Sequence, residues 1–537
     1  MTLLAGLPAI ITAARAGAIG YAERLFRDGG YDRLSDDPAA LAVHARLLKD
    51  RALCLPPVER EAGFAQAAAA YARADALGPQ LYTRLNVATL TLLAGDRARA
   101  AVLAGELLAW LGGAQPLHET PFLIAAAKAE AHLLRGDGQA AQAALARAIA
   151  QAPRAFEDHA STLRQLRMIC EATGSDDRWL DAFRPPAAMH YAGHLGVGAK
   201  ADGALIERID DMLAASHVGF AFGALAAGAD LTIAERVLES GGELHVVLPL
   251  REDAFVAQSV RPYGADWEAR FLACRDAAAS WTETARDTGA YEPLASHLAA
   301  DVAMGSAVRH SRSLGSEAMQ LVIVDDAPGP LGAGIHTARD VERWASTGRA
   351  TQVLRAPRAA PVVASGARTA LEGRADRRLA AMLQIEFAGL ADLDEAGLAD
   401  AVADVLLPFR TALADLAAKP EVVLPCGNSR IMAFTDPESA YAFARAALLI
   451  PTGQFGLTIA GHYGLAHWLS DPEALIGRPV DQLGAIAAVA FPGTITVSEA
   501  FASALFLAAG DEVYAEPLGE VGELRIHALR RVAPGLA

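Results

Sequence analysis

The chain has few cysteines and few aromatic residues. Four of its 537 residues are cysteines, and they lie far apart, at Cys54, Cys170, Cys274 and Cys426. This spacing matches neither a zinc site nor the disulfide framework of a small secreted domain. Aromatic residues amount to 6% although 53% of the chain is hydrophobic, which is typical of helix-rich and α/β proteins. We expect a reducing, cytoplasmic environment and well-packed cores.

Basic clusters and long uncharged apolar runs are also missing. The chain has 47 Lys and Arg against 63 Asp and Glu, a net charge of −16, and no basic stripe offsets this balance. We therefore expect neither a nucleic-acid partner nor binding to an anionic membrane. The N-terminal MTLLAGLPAIITAARAGAIG lacks the basic start of a signal peptide, and no apolar run is long enough to cross a bilayer. The length predicts two to four domains.

Residues 1–180 are Ala/Leu-rich and amphipathic, which predicts an all-helical domain. Two stretches share a pattern of helix, Gly-Asp turn and helix, with turns at Gly95-Asp96 and Gly136-Asp137. Gly permits a left-handed cap on the first helix, and Asp caps the start of the next. The turns are 41 residues apart (136 minus 95). This domain resembles a divergent tetratricopeptide array that would bind a protein partner; a plain helical bundle is the alternative.

Residues 184–356 change to short apolar segments that end in Gly-rich turns. The phrases HVGFAFG, GALAAGADLTIAERVLESGG and ELHVVLPL predict a strand, a turn with a helix, and a strand, which together form a βαβ unit of a parallel sheet. A second Gly-rich turn, in GPLGAGIHTARDVERW, follows the strand LVIVDD. Such turns offer backbone N–H groups and the positive end of a helix dipole to an anion. The pattern therefore predicts a phosphate site at one sheet edge.

The phrases YAGH, GALAAGAD and AERVLESGGELHVVLPL resemble the SLOG branch of Rossmann-like folds. In that superfamily these turns bind nucleotides or nucleotide-derived ligands, so the resemblance implies a nucleotide-like small molecule. The implied binding residues are Gly193, His194, Gly223, Gly228, Asp230, Gly332, Gly334 and Thr337. One alternative is that the glycines only permit tight strand–helix packing. Another is a nucleotide-hydrolysing site that uses Asp230 or Glu235.

Residues 357–377 are rich in Pro, Ala, Gly and Arg and are expected to form a linker. From residue 378 to 533 the pattern predicts an α+β order with a central hairpin, close to a ferredoxin-like core. The phrases IEFAGLADL, PCGNSRIMAF, LTIAGHYGLAH, LIGRPVD and FPGTITVSEAFA resemble the class III nucleotide cyclase catalytic domain in order and spacing. The whole chain resembles a bacterial family that combines tetratricopeptide, SLOG-like and class III cyclase domains.

In active class III cyclases two Asp carboxylates hold two divalent ions, and an Asn and an Arg stabilise charge on the transferred phosphate. The resemblance assigns the metal positions to Glu386 and Asn428 and the transition-state positions to Asp481 and Ala485. It assigns the base-recognition positions to Leu424 and Ala474. A neutral amide removes a bridging charge from a hard-cation site, and an acid in place of a donor repels phosphate. We therefore expect no catalytic residues and no resident metal, with Glu386 as the one remaining weak ligand.

The residues that shape turns are retained at Gly389, Gly427, Gly461, Gly464, Gly477, Pro492 and Gly493. His462 is retained as well, and without catalytic neighbours we interpret it as structural. The leading interpretation is a cytoplasmic signalling protein whose pseudo-cyclase domain forms a homodimer or regulates a partner. The alternative is an active cyclase that uses Mg²⁺ or Mn²⁺ in a site rebuilt around Glu386, Asp436 or Asp481.

Overall fold

A computed structural model gives the fold of the chain, which forms two compact units, Met1–Pro185 and Pro186–Arg531. The structure describes residues 6–113, 118–197, 203–288, 292–325, 335–358, 377–426, 428–453, 455–470, 473–510 and 513–531. The predicted linker falls almost entirely outside these ranges. None of the helices within them has the length and apolar character needed to cross a lipid bilayer.

The first unit is helical throughout its described residues. Its helices are α1 (Leu7–Arg15), α2 (Ile19–Asp28), α3 (Pro38–Leu53), α4 (Pro57–Leu77), α5 (Leu81–Leu93), α6 (Arg97–Leu111), α7 (Pro121–Leu134), α8 (Gly138–Gln151) and α9 (Phe156–Thr173). The two Gly-Asp turns have the predicted chemistry. Gly95 and Gly136 adopt φ values of 91° and 81°. The carboxylates of Asp96 and Asp137 accept hydrogen bonds from the backbone N–H of the third residue of α6 and of α8.

A buried carboxyl group joins three helices of the first unit. Glu130 in α7 accepts hydrogen bonds from Thr89 of α5 and from the Nε2 of Gln165 in α9. Burial raises the pKa of Glu130 above its ordinary value. Thr89 and Glu130 are 41 residues apart (130 minus 89), the same separation as the two Gly-Asp turns. They therefore occupy equivalent places in successive helix pairs.

The second unit begins with a six-stranded parallel sheet, which we call the Rossmann-like part (residues 186–358). Its elements are β1 (Ala187–Gly193), α10 (Gly203–Ala215), β2 (Val218–Gly223), α11 (Ala229–Glu239), β3 (Glu243–Leu248), α12 (Glu252–Ser259), α13 (Ala265–Ala277), β4 (Ser280–Glu283), α14 (Pro293–Leu314), β5 (Ala318–Val324), α15 (Ile335–Ala345) and β6 (Thr351–Arg355). The strand order is β4-β3-β2-β1-β5-β6. The order reverses between β1 and β5, and ligands of such sheets bind at that switch point.

The second sheet of the unit forms what we call the cyclase-like part (residues 377–531). Its elements are β7 (Arg377–Ala388), α16 (Glu395–Ala401), α17 (Leu407–Ala414), β8 (Val422–Cys426), β9 (Ser429–Phe434), α18 (Pro437–Leu448), β10 (Gly456–Ser470), β11 (Glu473–Ile476), α19 (Arg478–Ala487), β12 (Ile495–Ser498), α20 (Glu499–Phe506), β13 (Val513–Val521) and β14 (Leu524–Arg531). Strands β10, β7, β9 and β8 are adjacent in that order and antiparallel. This is the order of a ferredoxin-like βαββαβ core.

Helix α14 packs against both sheets. One side lies on β1, β2 and β3, and the other contacts α20 and strands β7 and β10. Residues 301–308 are consecutively buried, which a surface helix with a single apolar stripe does not show. At its contact with α20, a Cβ added to Gly305 would lie 1.7 Å from the carbonyl oxygen of Ser503. The two helices therefore approach at backbone distance.

Candidate functional site

A cavity of about 190 Å³ lies at the carboxyl ends of β1, β2 and β3 in the Rossmann-like part. The starts of α14 and α15 close its other side. From the predicted set it collects four residues, Gly193, Gly223, Asp230 and Thr337. The sheet therefore brings together residues 144 positions apart (337 minus 193), at the edge where parallel α/β sheets bind ligands.

Close packing explains why glycines stand at the three described turns. A Cβ on Gly193 would lie 2.3 Å from the Cβ of Ala229, and one on Gly223 would lie 2.7 Å from Tyr191. Gly228 begins α11 with a φ of 128°, and its Cβ would lie 2.8 Å from the carbonyl oxygen of His194. Each of these glycines therefore meets a packing requirement, and Gly193 and Gly223 line the cavity as well.

Asp230 stands in the first turn of α11 with a side chain that is buried within the cavity wall. It is 8% exposed. Its Oδ2 accepts a hydrogen bond of 3.3 Å from the backbone N–H of Ala226, while its Oδ1 is buried without a hydrogen-bond partner. Burial raises its pKa to about 8, against the opposing effect of hydrogen bonds from the backbone of Ala226 and Gly193, and the negative charge of Asp340 adds to the increase. Asp230 is therefore a mostly protonated carboxyl group at neutral pH.

A second carboxyl group, that of Asp340 in α15, lines the same cavity. Its pKa is raised to about 7 by burial, against the opposing effect of the Arg339 guanidinium. Arg339 donates to the carboxylate of Asp301 in α14 at 2.8 Å and to that of Asp340 at 3.2 Å. Negative charge on Asp301 in turn acts on Tyr463 of β10, whose pKa is raised chiefly by burial. This buried network extends from the cavity to the cyclase-like sheet.

Other predicted residues do not reach the cavity. His194 is 4% exposed, and its Nδ1 and Nε2 lie 3.0 Å and 3.1 Å from the carbonyl oxygens of Leu195 and Ala356. Its ring contacts two backbone carbonyl groups and does not line the cavity. Gly332 and Gly334 lie outside the described residues. Glu235 forms a two-point ion pair with Arg270 at 2.6 Å, so the structure gives it a structural partner.

Sequence reasoning missed Asp340 and the contribution of α14. Ser296, Ala299 and Ala303 of α14 form one wall of the cavity, although nothing in that helix carries a binding motif. Asp340 is the sixth residue of α15, the helix that follows the second Gly-rich turn. The signal was present, but only the assembled sheet shows that it faces Asp230.

The two positions assigned to metal binding are neighbours in the cyclase-like sheet. Glu386 on β7 pairs with Ser429 on β9, and Asn428 immediately precedes Ser429 in the hairpin turn. Both Glu386 and Asn428 are exposed. Gly427 lies outside the described residues. The hydroxyl of Ser429 donates to the carbonyl oxygen of Cys426 at 2.7 Å and accepts from Gln384 at 3.1 Å.

The residues present do not fit a two-ion site. Glu386 is one carboxylate and Asn428 contributes only a neutral amide, whereas two divalent ions need several anionic oxygens. Among the described residues no group of three or more His, Cys, Asp or Glu side chains has an arrangement that would hold a metal ion. Asp436, a candidate for a rebuilt site, instead caps α18 by accepting from the backbone of Ser439 at 2.8 Å.

The four remaining positions assigned by the resemblance lie on β8, β11 and α19. Leu424 of β8 is half-buried and packs on the apolar cluster under α19. Ala474 of β11 pairs with Leu469. Asp481 is exposed in the first turn of α19, and Ala485 follows one turn later. An exposed acid thus stands at the position that the resemblance assigns to a phosphate-stabilising group.

His462 is buried beneath α19 and has a structural partner. Its Nδ1 lies 2.8 Å from the hydroxyl of Ser498, and burial lowers its pKa to about 4. The neighbouring cleft of about 510 Å³ is lined by Arg286, Arg478 and Arg525. Each of these arginines lies within ion-pair distance of at least one glutamate. The cleft therefore offers paired rather than free cations.

No protein-family model matches the chain, and no curated protein is significantly similar to it. Among solved structures, it is similar to the adenylyl cyclase CyaB from P. aeruginosa, with 14% identity over 30% of this chain and 98% of that chain and a TM-score of 0.25. The adenylate/guanylate cyclase/hydrolase from Silicibacter pomeroyi gives 19% identity, 30% and 99% coverage and a TM-score of 0.25. The guanylate cyclase domain of RhGC from Catenaria anguillulae is 13% identical over 30% of this chain and 100% of that chain, with a TM-score of 0.25. Scores at this level carry no inference about activity.

Proposed function

We propose that this chain is a signalling protein that binds a small nucleotide-like molecule in its Rossmann-like part and has a cyclase-like part without cyclase activity. The observation that carries the proposal is Asp230, which lines a cavity at the carboxyl ends of three parallel strands and has a buried oxygen without a hydrogen-bond partner. An unsatisfied buried polar atom is costly. A ligand that bonds to Asp230 would remove that cost.

Binding is tested by isothermal titration calorimetry of the full chain with a panel of nucleotides and nucleosides. The variant Ala300→Leu places a larger side chain in the cavity wall, while Ala214→Leu on exposed helix α10 is the matched control. We expect a member of the panel to bind the parent chain and the control, and to bind Ala300→Leu at least about tenfold more weakly. Equal binding by all three proteins would place the ligand elsewhere and overturn the proposal.

Loss of cyclase activity is supported by Asn428, Asp481 and Ala485, which cannot supply the metal and transition-state groups. With Mn²⁺ and ATP or GTP we expect no cyclic nucleotide above a protein-free blank. Product from the unmodified chain that disappears in Glu386→Ala would instead establish a cyclase with a rebuilt metal site.

We further propose that the cyclase-like part forms a homodimer and that the helical unit binds a protein partner. Support comes from the retained turn residues beside missing catalytic groups, since a domain kept for its fold keeps an interaction role. Light scattering across a concentration series tests the dimer, and a monomeric mass at high concentration would contradict it.

A further inference from the structure

We propose that the cavity of the Rossmann-like part binds the amino-bearing edge of a neutral nitrogen heterocycle, with Asp230 as its hydrogen-bond partner and with phosphate groups left outside. This inference rests on the proposed function, in which the same cavity is the ligand site. It departs from the phosphate site that the Gly-rich turns predict.

The size of the cavity limits what enters it. Pockets that enclose a drug-sized ligand have volumes of roughly 300–1,000 Å³, whereas this cavity measures about 190 Å³. A single aromatic ring system fits such a volume better than a complete nucleotide with its sugar and phosphates. The apolar walls, to which Leu195, Leu250 and Phe255 contribute, suit the faces of a flat ring.

The charge of the lining disfavours phosphate. Three acids, Asp230, Glu292 and Asp340, line the cavity, and its described lining includes neither lysine nor arginine. Arg339, next to Asp340, is directed to the carboxylates of Asp301 and Asp340. Glu292 is already paired with Arg377 at 2.6 Å, so a dianionic phosphate would enter a poorly solvated site whose described lining offers no lysine or arginine to balance its charge.

The polar groups of the cavity complement a neutral N–C–N edge. A protonated carboxyl group presents one donor and one acceptor side by side, and burial keeps Asp230 protonated at neutral pH. Its Oδ2 accepts one hydrogen bond, from the backbone of Ala226, and keeps a second lone pair, while its Oδ1 has no hydrogen-bond partner. An aminopurine or aminopyrimidine edge offers the reciprocal pair, an amino donor beside a ring-nitrogen acceptor, as adenine does toward asparagine.

The first test compares adenine, purine and inorganic phosphate by isothermal titration calorimetry with the full chain at pH 7. Purine lacks the amino group and keeps the ring, so it is the matched ligand control. We expect adenine to bind at least about tenfold more tightly than purine and phosphate to give no binding heat. Phosphate binding without adenine binding, or equal affinity for adenine and purine, would overturn the inference.

The second test changes Asp230 itself. Asp230→Asn keeps a donor and an acceptor and should retain the preference for adenine, whereas Asp230→Leu should abolish it. Asp211→Asn, an exposed acid on α10, is the control variant. If Asp230→Leu does not fold, as judged by thermal unfolding, the adenine-to-purine ratio of the parent chain still decides. A preference for adenine that survives in folded Asp230→Leu would contradict the inference.

The outcomes separate this inference from the proposed function. Adenosine 5′-monophosphate that binds in an Ala300-dependent manner, while free adenine does not bind, would leave the ligand site standing and refute the base-edge assignment. Failure of every base, nucleoside and nucleotide to bind would refute both.

Discussion

At the scale of single residues, the main feature is a set of buried acids with raised pKa values. Asp230 and Asp340 have pKa values of about 8 and about 7, and burial also raises those of Asp301 and Glu130. Each raised pKa reflects loss of water around the ionised form, which neighbouring hydrogen bonds offset only in part. The charge states of Asp230 and Asp340 therefore change within or near the physiological pH range.

Asp230 should make stability depend on pH. The unfolded chain releases this proton near pH 4, whereas the folded chain holds it to about pH 8. Between these values the folded state binds more protons, so the free energy of unfolding falls as pH rises. Asp230→Asn should remove this contribution and be more stable than the parent at pH 8.5 by an amount on the order of a few kcal/mol.

Urea unfolding at pH 5 and at pH 8.5 measures this effect, with the exposed-site variant Asp211→Asn as control. The parent and the control should respond alike to this change of pH, and Asp230→Asn should gain stability relative to both as the pH rises. The same pH dependence in all three proteins would show that Asp230 is ionised in the folded state.

Restoring two carboxylates should restore metal binding without restoring catalysis. Glu386 and Asn428 are neighbours across the β7–β9 pair, so the double variant Glu386→Asp/Asn428→Asp places two acids together at the hairpin. We expect it to bind Mn²⁺, observed as loss of the free-ion electron paramagnetic resonance signal. It should form no cyclic nucleotide, because Asp481 and Ala485 still lack transition-state donors.

The single variant Glu386→Asp, which keeps one carboxylate, is the control and should bind Mn²⁺ at least about tenfold more weakly than the double variant, since charge count dominates affinity for hard cations. Equal Mn²⁺ binding by the two variants would mean that Asn428 does not occupy a metal position.

At the scale of elements, α14 is the part of the fold that the sequence predicts least well. The Gly-rich turns predict the parallel strands, and the hairpin phrase predicts β8 and β9, because those signals are local. The continuous burial of residues 301–308 depends on a second sheet that is supplied more than 60 residues later in the chain (377 minus 308 is 69). Asp340 could not be predicted as a cavity residue for the same reason, because it lines the cavity only when β1, α14 and α15 assemble.

The contact between α14 and α20 should tolerate no added atom at Gly305. A Cβ there would overlap the Ser503 carbonyl group, and residues 301–308 and 501–507 around the contact are all buried, so neither helix moves freely. We expect Gly305→Ala to lower the free energy of unfolding by roughly 1–3 kcal/mol, measured by urea unfolding. Gly484→Ala in α19 has open space around its Cβ and should be neutral or stabilising by up to about 1 kcal/mol. A neutral Gly305→Ala would show that the two helices are farther apart.

At the scale of the whole second unit, the two sheets are joined by polar contacts as well as by α14. Arg377 at the start of β7 donates to Asp287 and Glu292 at 2.9 Å and 2.6 Å. Arg309 of α14 donates to Glu499 at 2.6 Å. Charged bonds of this kind are strong where water is excluded, so the Rossmann-like and cyclase-like parts are packed as one body.

Ligand binding in the cavity should therefore slow the local opening of α20. A ligand that contacts Ala299 or Ala303 stabilises α14, and α20 packs on the opposite side of that helix. We expect slower amide hydrogen exchange in residues 499–507 when a ligand is bound, measured by mass spectrometry with Ala300→Leu as the non-binding control. Protection confined to residues 186–358 would show that the two parts respond independently.

Because the Rossmann-like and cyclase-like parts both pack against α14, the chain cannot easily be cut into separate fragments, either in the laboratory or by recombination. A fragment that begins near residue 377 would contain α20 without α14 packed against it. Phe506, which is 1% accessible in the intact unit, would then be exposed. A fragment that ends near residue 358 would expose the other side of α14. Either piece would be prone to aggregate, so an inactive or insoluble fragment would reveal nothing about the intact protein. The two parts are expected to be inherited and exchanged only together.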